Sequence, residues 1–194
     1  MSDLEIAVSV ALGVGLAAAT GFRVFLPMLV LSIAANTGHL ALADSFAWIG
    51  TLPALILLGV AAVVEIIAYY IPGVDNLLDT LATPAALVAG TVVSAAVITD
   101  LPPTVKWATA VIAGGGIAGL IQSTSALLRA KSTVFTGGLG NPVIATTELS
   151  GSLIVSILAI AAPLIALLLV VLFLWLALRF LLRLTRRGAH SPER

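Results

Sequence analysis

The sequence predicts an all-α protein, a polytopic integral membrane helical bundle with interrupted or re-entrant helices. Three observations predict it. Hydrophobic residues make up 60% of the 194 residues, and charged residues make up only 9%, whereas ordinary soluble domains contain roughly 25% charged residues. Apolar stretches follow one another along almost the whole chain. Because a spanning helix needs ~20 apolar residues, this length allows about five to seven embedded segments and leaves no room for a soluble domain.

Composition also narrows the chemistry. The chain contains no cysteine, which excludes disulfides, thiolate catalysis and sulfur-ligated metals. Only His39 and His190 offer an imidazole, one in a polar loop and one in the tail, so we expect no metal and no cofactor. Nine basic residues balance nine acidic ones, so the net charge indicates no partner. The apolar composition leads us to expect the lipid bilayer as the partner, and we expect no nucleic acid. We assign residues 1–187 to a single transmembrane domain and residues 188–194 to a short polar tail.

The first apolar stretch, residues 4–36, is too long for one straight crossing. It lacks the basic start and the small-residue cleavage site of a signal peptide, so we interpret it as a retained helix. At helical rise it would measure about 50 Å, longer than a ~30 Å hydrocarbon core, so it must break, tilt strongly or fold back. Gly21 and Pro27 bracket the embedded Arg23 and mark the place. A fold-back would put Arg23 at a re-entrant tip, held by Glu65 or by the acids of the third span.

Turn-forming residues separate the first stretch from a second span. Residues 37–52 contain turn formers and Trp48, as expected of an interfacial loop. The second span, residues 53–70, ends before Pro72 and Gly73, because proline cannot continue the preceding helix.

Three more segments follow. The third span, residues 75–99, is predicted to be interrupted at Pro84. The fourth span, residues 104–130, leads into a Gly-rich break at residues 131–142. Residues 143–184 contain a single proline and form either a helical hairpin or one long kinked helix.

Basic residues orient the chain. Four arginines close the last segment, and an excess of arginine marks the cytoplasmic side of a membrane protein. We therefore place the C-terminus in the cytoplasm, with Arg129 and Lys131 on the same side. The N-terminus carries two acids and no nearby base, which favours the outside. The four arginines are Arg179, Arg183, Arg186 and Arg187.

One internal repeat suggests itself. Residues 74–96 laid over residues 140–162 show a polar, broken opening followed by a helix of small residues, with four identities that include Thr80 and Thr146. A duplicated half-structure is one interpretation of this weak likeness. It matters because many transporters place their substrate between duplicated, interrupted helices.

Two acids open the third span. Asp75 and Asp79 are spaced i, i+4 and project from one helix face, which Thr83 extends to i+8. One interpretation is that these two acids form one side of a polar centre inside the bundle. The alternative is that Asp75 only stabilises the helix N-terminus and that Asp79 lies in the headgroup layer.

Glu65 and Arg23 are charges within apolar runs. An acid at such depth costs on the order of 2.5 to 3.5 kcal/mol, so Glu65 should face protein or water and have a partner. Arg23 is the natural counter-charge. Three alternatives stay open: Glu65 is protonated and neutral, Glu65 is solvated near the interface, or the pair is a structural salt bridge without a ligand.

A second polar set begins at Asn141. Glu148, Ser152 and Ser156 lie on one helical face by i, i+4, i+8 spacing. The alternatives are that Asn141 only caps the helix, with Pro142 at its first position, and that Glu148 is an interfacial acid.

Small residues in the fourth span predict a close helix contact. Gly115 and Gly119 have the small-xxx-small spacing that lets helices approach closely. An intrachain crossing and a homodimer contact would both satisfy this spacing, and we favour the crossing. Residues 122–125 then give the same helix a polar segment whose side chains can form interhelical hydrogen bonds.

Three segments in this order carry a resemblance: "GLAAATGFRVFLPML", "VEIIAYYIPGVDNLLDTLATP" and "GNPVIATTELSGSLIVSILAIAAPLIALLL". The chain resembles the uncharacterised bacterial membrane family known as domain of unknown function 4126, over nearly its whole length. The resemblance implies the cytoplasmic membrane of a bacterium, but the family name carries no activity. Members tend to carry Ala-Asp-Lys where this chain has Ala68-Tyr69-Tyr70, and a base near Pro84 that is missing here. The matching positions are Arg23, Glu65, Pro72, Asp75, Asp79, Asn141, Pro142 and Glu148.

We predict a small membrane transporter or channel-like protein for an ion or small polar solute, because embedded charges coincide with helix breaks. Glu65 and Asp79 would be proton or cation sites, and Arg23 a counter-ion or anion contact. The alternative is a structural or regulatory membrane subunit whose buried polar network only fixes helix packing. A cavity that reaches water would favour transport, and a dry, fully paired network would favour the alternative. The pathway candidates are Arg23, Glu65, Asp75, Asp79, Thr83, Asn141 and Glu148.

An enzyme is not expected. The sequence contains no His-Glu-x-x-His and no Gly-x-Ser-x-Gly motif, which are the signatures of zinc peptidases and serine hydrolases. Two carboxyl groups can share a proton at close range, but Asp75 and Asp79 on one helix beside a turn are a poor signal for such a pair.

Overall fold

The structure is a computed structural model that describes residues 3–71, 73–99 and 101–188. In these ranges it contains eight α-helices and no strand, which confirms the predicted all-α class. A 3-10 helix, Asp44–Gly50, precedes α3, and a π-helical turn, Ala110–Gly115, joins α5 to α6. The predicted break at Pro72, His190 and the tail from residue 189 onward lie outside the described residues. The helices are α1 (Asp3–Thr20), α2 (Phe25–Asn36), α3 (Leu52–Ala68), α4 (Val74–Val97), α5 (Pro103–Thr109), α6 (Gly116–Thr136), α7 (Asn141–Ala161) and α8 (Pro163–Gly188).

Four helical stretches are long and apolar enough to cross a membrane: α1, α4, the unit Pro103–Thr136 and α7. The 3-10 helix and α3 make a fifth if the two, bent by 65°, are counted as one broken span. Helix α2 and the first part of α8 are shorter apolar helices. The protein is therefore a multi-pass membrane helical bundle.

The first apolar stretch breaks and folds back. Helix α1 ends at Thr20, and α2 begins at Phe25. Gly21 permits the turn to sit against α6, because a Cβ there would lie 2.6 Å from the Cβ of Ile121. Helix α2 then returns toward the region where α1 began, where Ser32 donates a hydrogen bond to the Ile49 carbonyl. The α1–α2 hairpin thus has Arg23 at its tip, as the fold-back alternative predicts.

The last apolar stretch is also a hairpin. Ala162 leaves the helical conformation, with φ −148° and ψ 71°, and α8 begins at the next residue. Gly15 of α1 packs against both Ala159 and Ala166, so a Cβ there would lie 2.8 and 3.3 Å from their Cβ atoms. Residues on both sides of Ala162 thus meet the same position of α1. Of the two alternatives for residues 143–184, the hairpin is right.

Small residues build the crossing of α4 with α6, as the spacing of Gly115 and Gly119 predicts. A Cβ on Gly90 would lie 2.9 Å from the Gly114 carbonyl oxygen, and one on Gly115 would lie 2.9 Å from the Leu87 carbonyl oxygen. The crossing is therefore an intrachain contact between backbones.

The predicted interruption at Pro84 is wrong. Helix α4 runs through this residue from Val74 to Val97 without a break. Proline removes one backbone hydrogen bond, to the carbonyl of Thr80, but spanning helices tolerate this loss when neighbouring turns adjust.

Helix α1 lies at the centre of the bundle. It packs against α4, α7 and α8, and every residue from Ala11 to Thr20 is buried. Because its C-terminal end is enclosed on all sides, the turn that follows it delivers the next side chains into protein and away from lipid.

Candidate functional site

Arg23 lies at the tip of the α1–α2 hairpin and is 1% exposed. Its Nη1 lies 3.1 Å from Oε2 of Glu148 on α7. Its Nη2 donates a hydrogen bond of 2.9 Å to the Ala145 carbonyl, one turn earlier on the same helix. The basic side chain of the first apolar stretch therefore forms its ion pair with the polar set near the end of the chain. The prediction that Glu65 or the acids of the third span hold Arg23 is wrong, because Glu65 accepts backbone N–H groups instead.

Arg129 of α6 is a further charged residue of the site, and it is not among the pathway candidates predicted from the sequence. It is 0% exposed. Its Nε lies 3.0 Å from Asp79 Oδ2, and its Nη2 lies 2.9 Å from Glu148 Oε1. The available signal was its spacing: Arg129 lies four and seven residues after Ser125 and Gln122, on the polar face of the same helix.

Glu148 thus bridges two arginines. We call Arg23, Arg129, Asp79 and Glu148 the charge cluster. With both acids ionised, its formal charges sum to zero, which lowers the cost of burial. The alternatives that put Asp79 among headgroups and Glu148 at the interface are wrong, because these residues are 8% and 5% exposed and both are ion-paired.

Tyr69, at the end of α3, is a second residue that sequence reasoning missed. The guanidinium carbons of Arg23 and Arg129 lie 3.9 and 4.3 Å from the centre of its ring. Its hydroxyl donates to Asp79 Oδ1 at 3.4 Å. Stacking on an aromatic face attracts a buried cation, so Tyr69 holds both arginines in place. Its position one turn after Glu65, on the same helix face, was the available signal.

Glu65 holds the hairpin tip through the backbone. Its two carboxylate oxygens accept hydrogen bonds from the N–H groups of Val24 and Phe25, at 2.7 and 3.0 Å. These groups lie at the start of α2, where N–H donors have no partner within the helix. Glu65 is 8% exposed, so it is neither solvated nor an interfacial acid.

Asp75 and Asn141 join the starts of α4 and α7. Asn141 Nδ2 donates to Asp75 Oδ2 at 2.6 Å and to Thr133 Oγ1 at 3.0 Å. The other Asp75 oxygen accepts the backbone N–H groups of Gly73 and Asn76, so its predicted role at the helix start is present as well. The capping alternative for Asn141 is wrong, because its side chain crosses to the neighbouring helix.

Thr83 stands apart from the charge cluster. Its hydroxyl donates to the Asp79 carbonyl of its own helix at 3.2 Å. Thr83 follows Asp75 and Asp79 on the same helix face, but its hydroxyl bonds only to the backbone of its own helix. Gln122 is the side chain that reaches Asp79 instead, with Nε2 3.4 Å from Oδ1.

The charge cluster lies inside the bundle and not at its end. Helices α3 and α6 end, and α4 and α7 begin, at one end of the bundle, which we call the cluster end; the opposite end carries residues 37–51. Asp79 lies about 8 Å, and Glu148 and Arg129 about 10 Å, along their helices from the nearest helix terminus. Asp75 and Asn141 lie between the charge cluster and this end.

Some buried polar atoms of the site have neither a hydrogen bond nor an ion pair within the described part of the chain. Two are guanidinium nitrogens, which donate, and two are amide oxygens, which accept. The site therefore has hydrogen-bonding capacity beyond its internal contacts. No group of three or more His, Asp or Glu side chains in the described residues is placed to hold a metal ion. The four atoms are Arg23 Nε, Arg129 Nη1, Gln122 Oε1 and Asn141 Oδ1.

Comparison with known proteins identifies a family. The model of the family described as "Domain of unknown function (DUF4126)" matches residues 10–183. This range contains the charge cluster, Glu65, Tyr69 and the Asp75–Asn141 pair. No curated protein and no solved structure matches the chain at a significant level. The chain therefore belongs to the DUF4126 family.

Proposed function

We propose that this protein carries an ion or a small polar solute across the membrane, in the cytoplasmic membrane of a bacterium, and that the charge cluster is its internal site. The main support for this proposal is that Glu148 forms ion pairs with both Arg23 and Arg129. Charged side chains inside a bilayer-spanning bundle are costly, and they commonly mark substrate and ion pathways. One of them, Arg23, lies at a helix break, and many transporters form their solute sites at interrupted helices.

The bridge gives a physical means of switching. Each arginine depends on the shared Glu148, so a proton or cation that neutralises this carboxylate weakens two ion pairs together. An anionic solute can instead replace the carboxylate at either guanidinium, since Arg binds carboxylate-like groups with several donors. Arg23 Nε and Arg129 Nη1 are donors not used by the internal contacts, which supports this exchange of partners.

Movement of the hairpin tip would open the route. Glu65 holds Val24 and Phe25 by two hydrogen bonds, while Arg23 is bound by Glu148 and Ala145. Release of these contacts frees the turn between α1 and α2 without unfolding either helix. Discontinuous helices of this kind form the solute sites of many transporters.

One observation favours a second function, a structural or regulatory membrane subunit. The charged groups of the site are paired and nearly free of solvent, as expected of a network that fixes helix packing. In this alternative the charge cluster never exchanges partners, and its loss lowers stability alone.

The two functions separate in proteoliposomes. Purified wild type, Asp79→Asn and Glu148→Gln are compared for flux of protons, Na⁺, K⁺, Cl⁻ and labelled small polar solutes. Asp44→Asn, an exposed acid at the opposite end, is the matched control. Transport predicts that at least one flux of the wild type is kept by Asp44→Asn and lost by both site variants while they remain folded. If both variants keep every wild-type flux and lose only thermal stability, the structural alternative is right.

A further inference from the structure

Two clefts open on the sides of the bundle. The first lies between α3 and α4 and has a volume of about 460 Å³. The second lies between α6 and α7, reaches Phe173 of α8, and has a volume of about 340 Å³. Both volumes fall within the roughly 300–1,000 Å³ of ordinary ligand sites. The two clefts share no lining residue.

The clefts occupy equivalent places in two copies of one helical hairpin. On α4 the lining residues are Leu78, Leu81, Ala82 and Ala85. On α7 they are Ile144, Thr147, Glu148 and Gly151, each 66 positions later. This is the register of the repeat seen in the sequence, residues 74–96 over residues 140–162.

The first helices of the two hairpins, α3 and α6, also line the clefts at equivalent positions. On α3 the lining residues are Leu57, Val60, Ala61 and Val64. On α6 they are Ile121, Thr124, Ser125 and Leu128, each 64 positions later. Asp75 and Asn141, which are also 66 positions apart, touch each other where the two hairpins meet. The weak sequence repeat thus corresponds to a repeated structural unit, the α3–α4 and α6–α7 hairpins.

The tip of the α1–α2 hairpin separates the two clefts. Val24 and Phe25 line the first cleft, and Phe22 lines the second. Each cleft also reaches one acid of the site, Glu65 in the first and Glu148 in the second. An occupant of either cleft would therefore contact groups that hold the tip.

We propose that each cleft holds an acyl chain of a membrane lipid. The rims are apolar and point outward: Leu57 is 68% exposed, Leu81 is 62% exposed and Val143 is 69% exposed. Helices α4, α6 and α7 belong to candidate membrane spans, so these openings face hydrocarbon. An apolar cavity does not retain water, and lipid chains are the apolar molecules that surround a spanning helix.

A second copy of the chain does not account for both clefts. A twofold dimer uses the same surface patch on both partners. Because the two clefts share no lining residue, such a dimer covers one of them and leaves its equivalent open. A lipid chain fits both, and this proposal stands whether or not the protein transports a solute.

The absence of cysteine makes a direct test simple. Single-cysteine variants Ala61→Cys and Ser125→Cys, at equivalent positions of the two clefts, are labelled with a small fluorophore and reconstituted in phosphatidylcholine vesicles. A fraction of the lipid carries a quencher on its acyl chain. Leu120→Cys, a lipid-facing residue of α6 that is 62% exposed, is the positive control. Lipid occupancy predicts quenching at both cleft positions as strong as at the control.

Filling one cleft supplies the specificity control. Ala85→Phe should remove most of the quenching at residue 61 and leave residue 125 unchanged, and Gly151→Phe should do the reverse. Ala85→Leu and Gly151→Leu replace these variants if the larger side chain prevents folding. Weak quenching at both positions overturns the proposal, as does quenching that the filling substitutions leave unchanged. If one cleft is quenched only after the protein is diluted in lipid, a second copy of the chain covers that cleft at higher protein density. This result also overturns the proposal.

Discussion

Arg129 binds two carboxylates from different helices, Asp79 on α4 and Glu148 on α7. A salt bridge between exposed side chains is worth little, but a buried charge that loses its partner is expensive, typically about 3–5 kcal/mol. At the scale of single residues, this asymmetry explains why the charge cluster works as a unit. Removal of one member leaves an uncompensated charge in a site without solvent.

A substitution of Arg129 measures the cost of leaving the buried carboxylates without their shared cation. We expect Arg129→Met to lower the free energy of unfolding by about 3–5 kcal/mol, because Asp79 and Glu148 then lose a shared cation. Lys131→Met, two residues later and exposed, is the matched control and should change stability by less than about 0.5 kcal/mol. Reversible unfolding in mixed micelles is the measurement. Equal effects of the two variants would show that Arg129 is not buried in an ion-paired site.

At the scale of elements, the contacts between helices rest on backbone approach and on the caps of broken helices. Glycines bring α4 and α6 together, and a carboxylate from α3 completes the start of α2. The glycine contacts and the cap on α2 each lead to a separate prediction.

The crossing of α4 with α6 predicts which glycines can be replaced. A Cβ on Gly90 would lie 2.5 Å from Ala118 Cβ, whereas a Cβ on Gly116 meets nothing within 4 Å. Gly90→Ala should therefore destabilise the protein by about 1–3 kcal/mol through overpacking. Gly116→Ala should be neutral or stabilise it by up to about 1 kcal/mol, since alanine favours the helix. Thermal unfolding of the two variants in detergent checks both, and the reverse order would contradict the crossing.

The cap on α2 predicts local dynamics at the hairpin tip. In Glu65→Ala, the N–H groups of Val24 and Phe25 lose their acceptors, so we expect their amide hydrogen exchange to accelerate while exchange in α7 is unchanged. Thr83→Ala removes a hydroxyl that bonds only within its own helix and serves as the control. Hydrogen exchange followed by mass spectrometry is the measurement. Unchanged protection of residues 24–25 would mean that Glu65 does not hold the tip.

At the scale of the whole molecule, the course of the helices puts residues 37–51 and the loop between α6 and α7 at opposite ends of the bundle. Lys131 and Arg179 lie toward the cluster end, and basic residues favour the cytoplasm. We therefore expect the charge cluster to lie nearer the cytoplasmic face.

Labelling with a membrane-impermeant maleimide tests this orientation. In intact cells, Ser45→Cys should react and Leu139→Cys should not, because these exposed residues lie at opposite ends of the molecule. In permeabilised cells, both cysteine variants should be labelled. The reverse pattern would invert the orientation, and labelling of both residues in intact cells would contradict the arrangement of the helices.

The sequence predicted the elements better than the partners. Apolar run length and breaking residues located the spans, the re-entrant Arg23 and the turn before Asn141, because these are local properties of the chain. Pro84 was misjudged, since a helix held by neighbours tolerates one missing hydrogen bond. Arg129 entered the sequence prediction only through the orientation of the chain, and Tyr69 only as a departure from the family pattern. Their burial follows from the way α3 and α6 pack around the hairpin tip, which no local pattern encodes.

The most direct test of the charge cluster is a double-mutant cycle between Arg23→Gln and Glu148→Gln, read from the free energy of unfolding in lipid–detergent bicelles. These residues are far apart in sequence and 3.1 Å apart in the structure. We predict a coupling free energy of about 1–3 kcal/mol, as found for residues of one buried network. Two losses that add within about 0.3–0.5 kcal/mol would show that the residues do not interact.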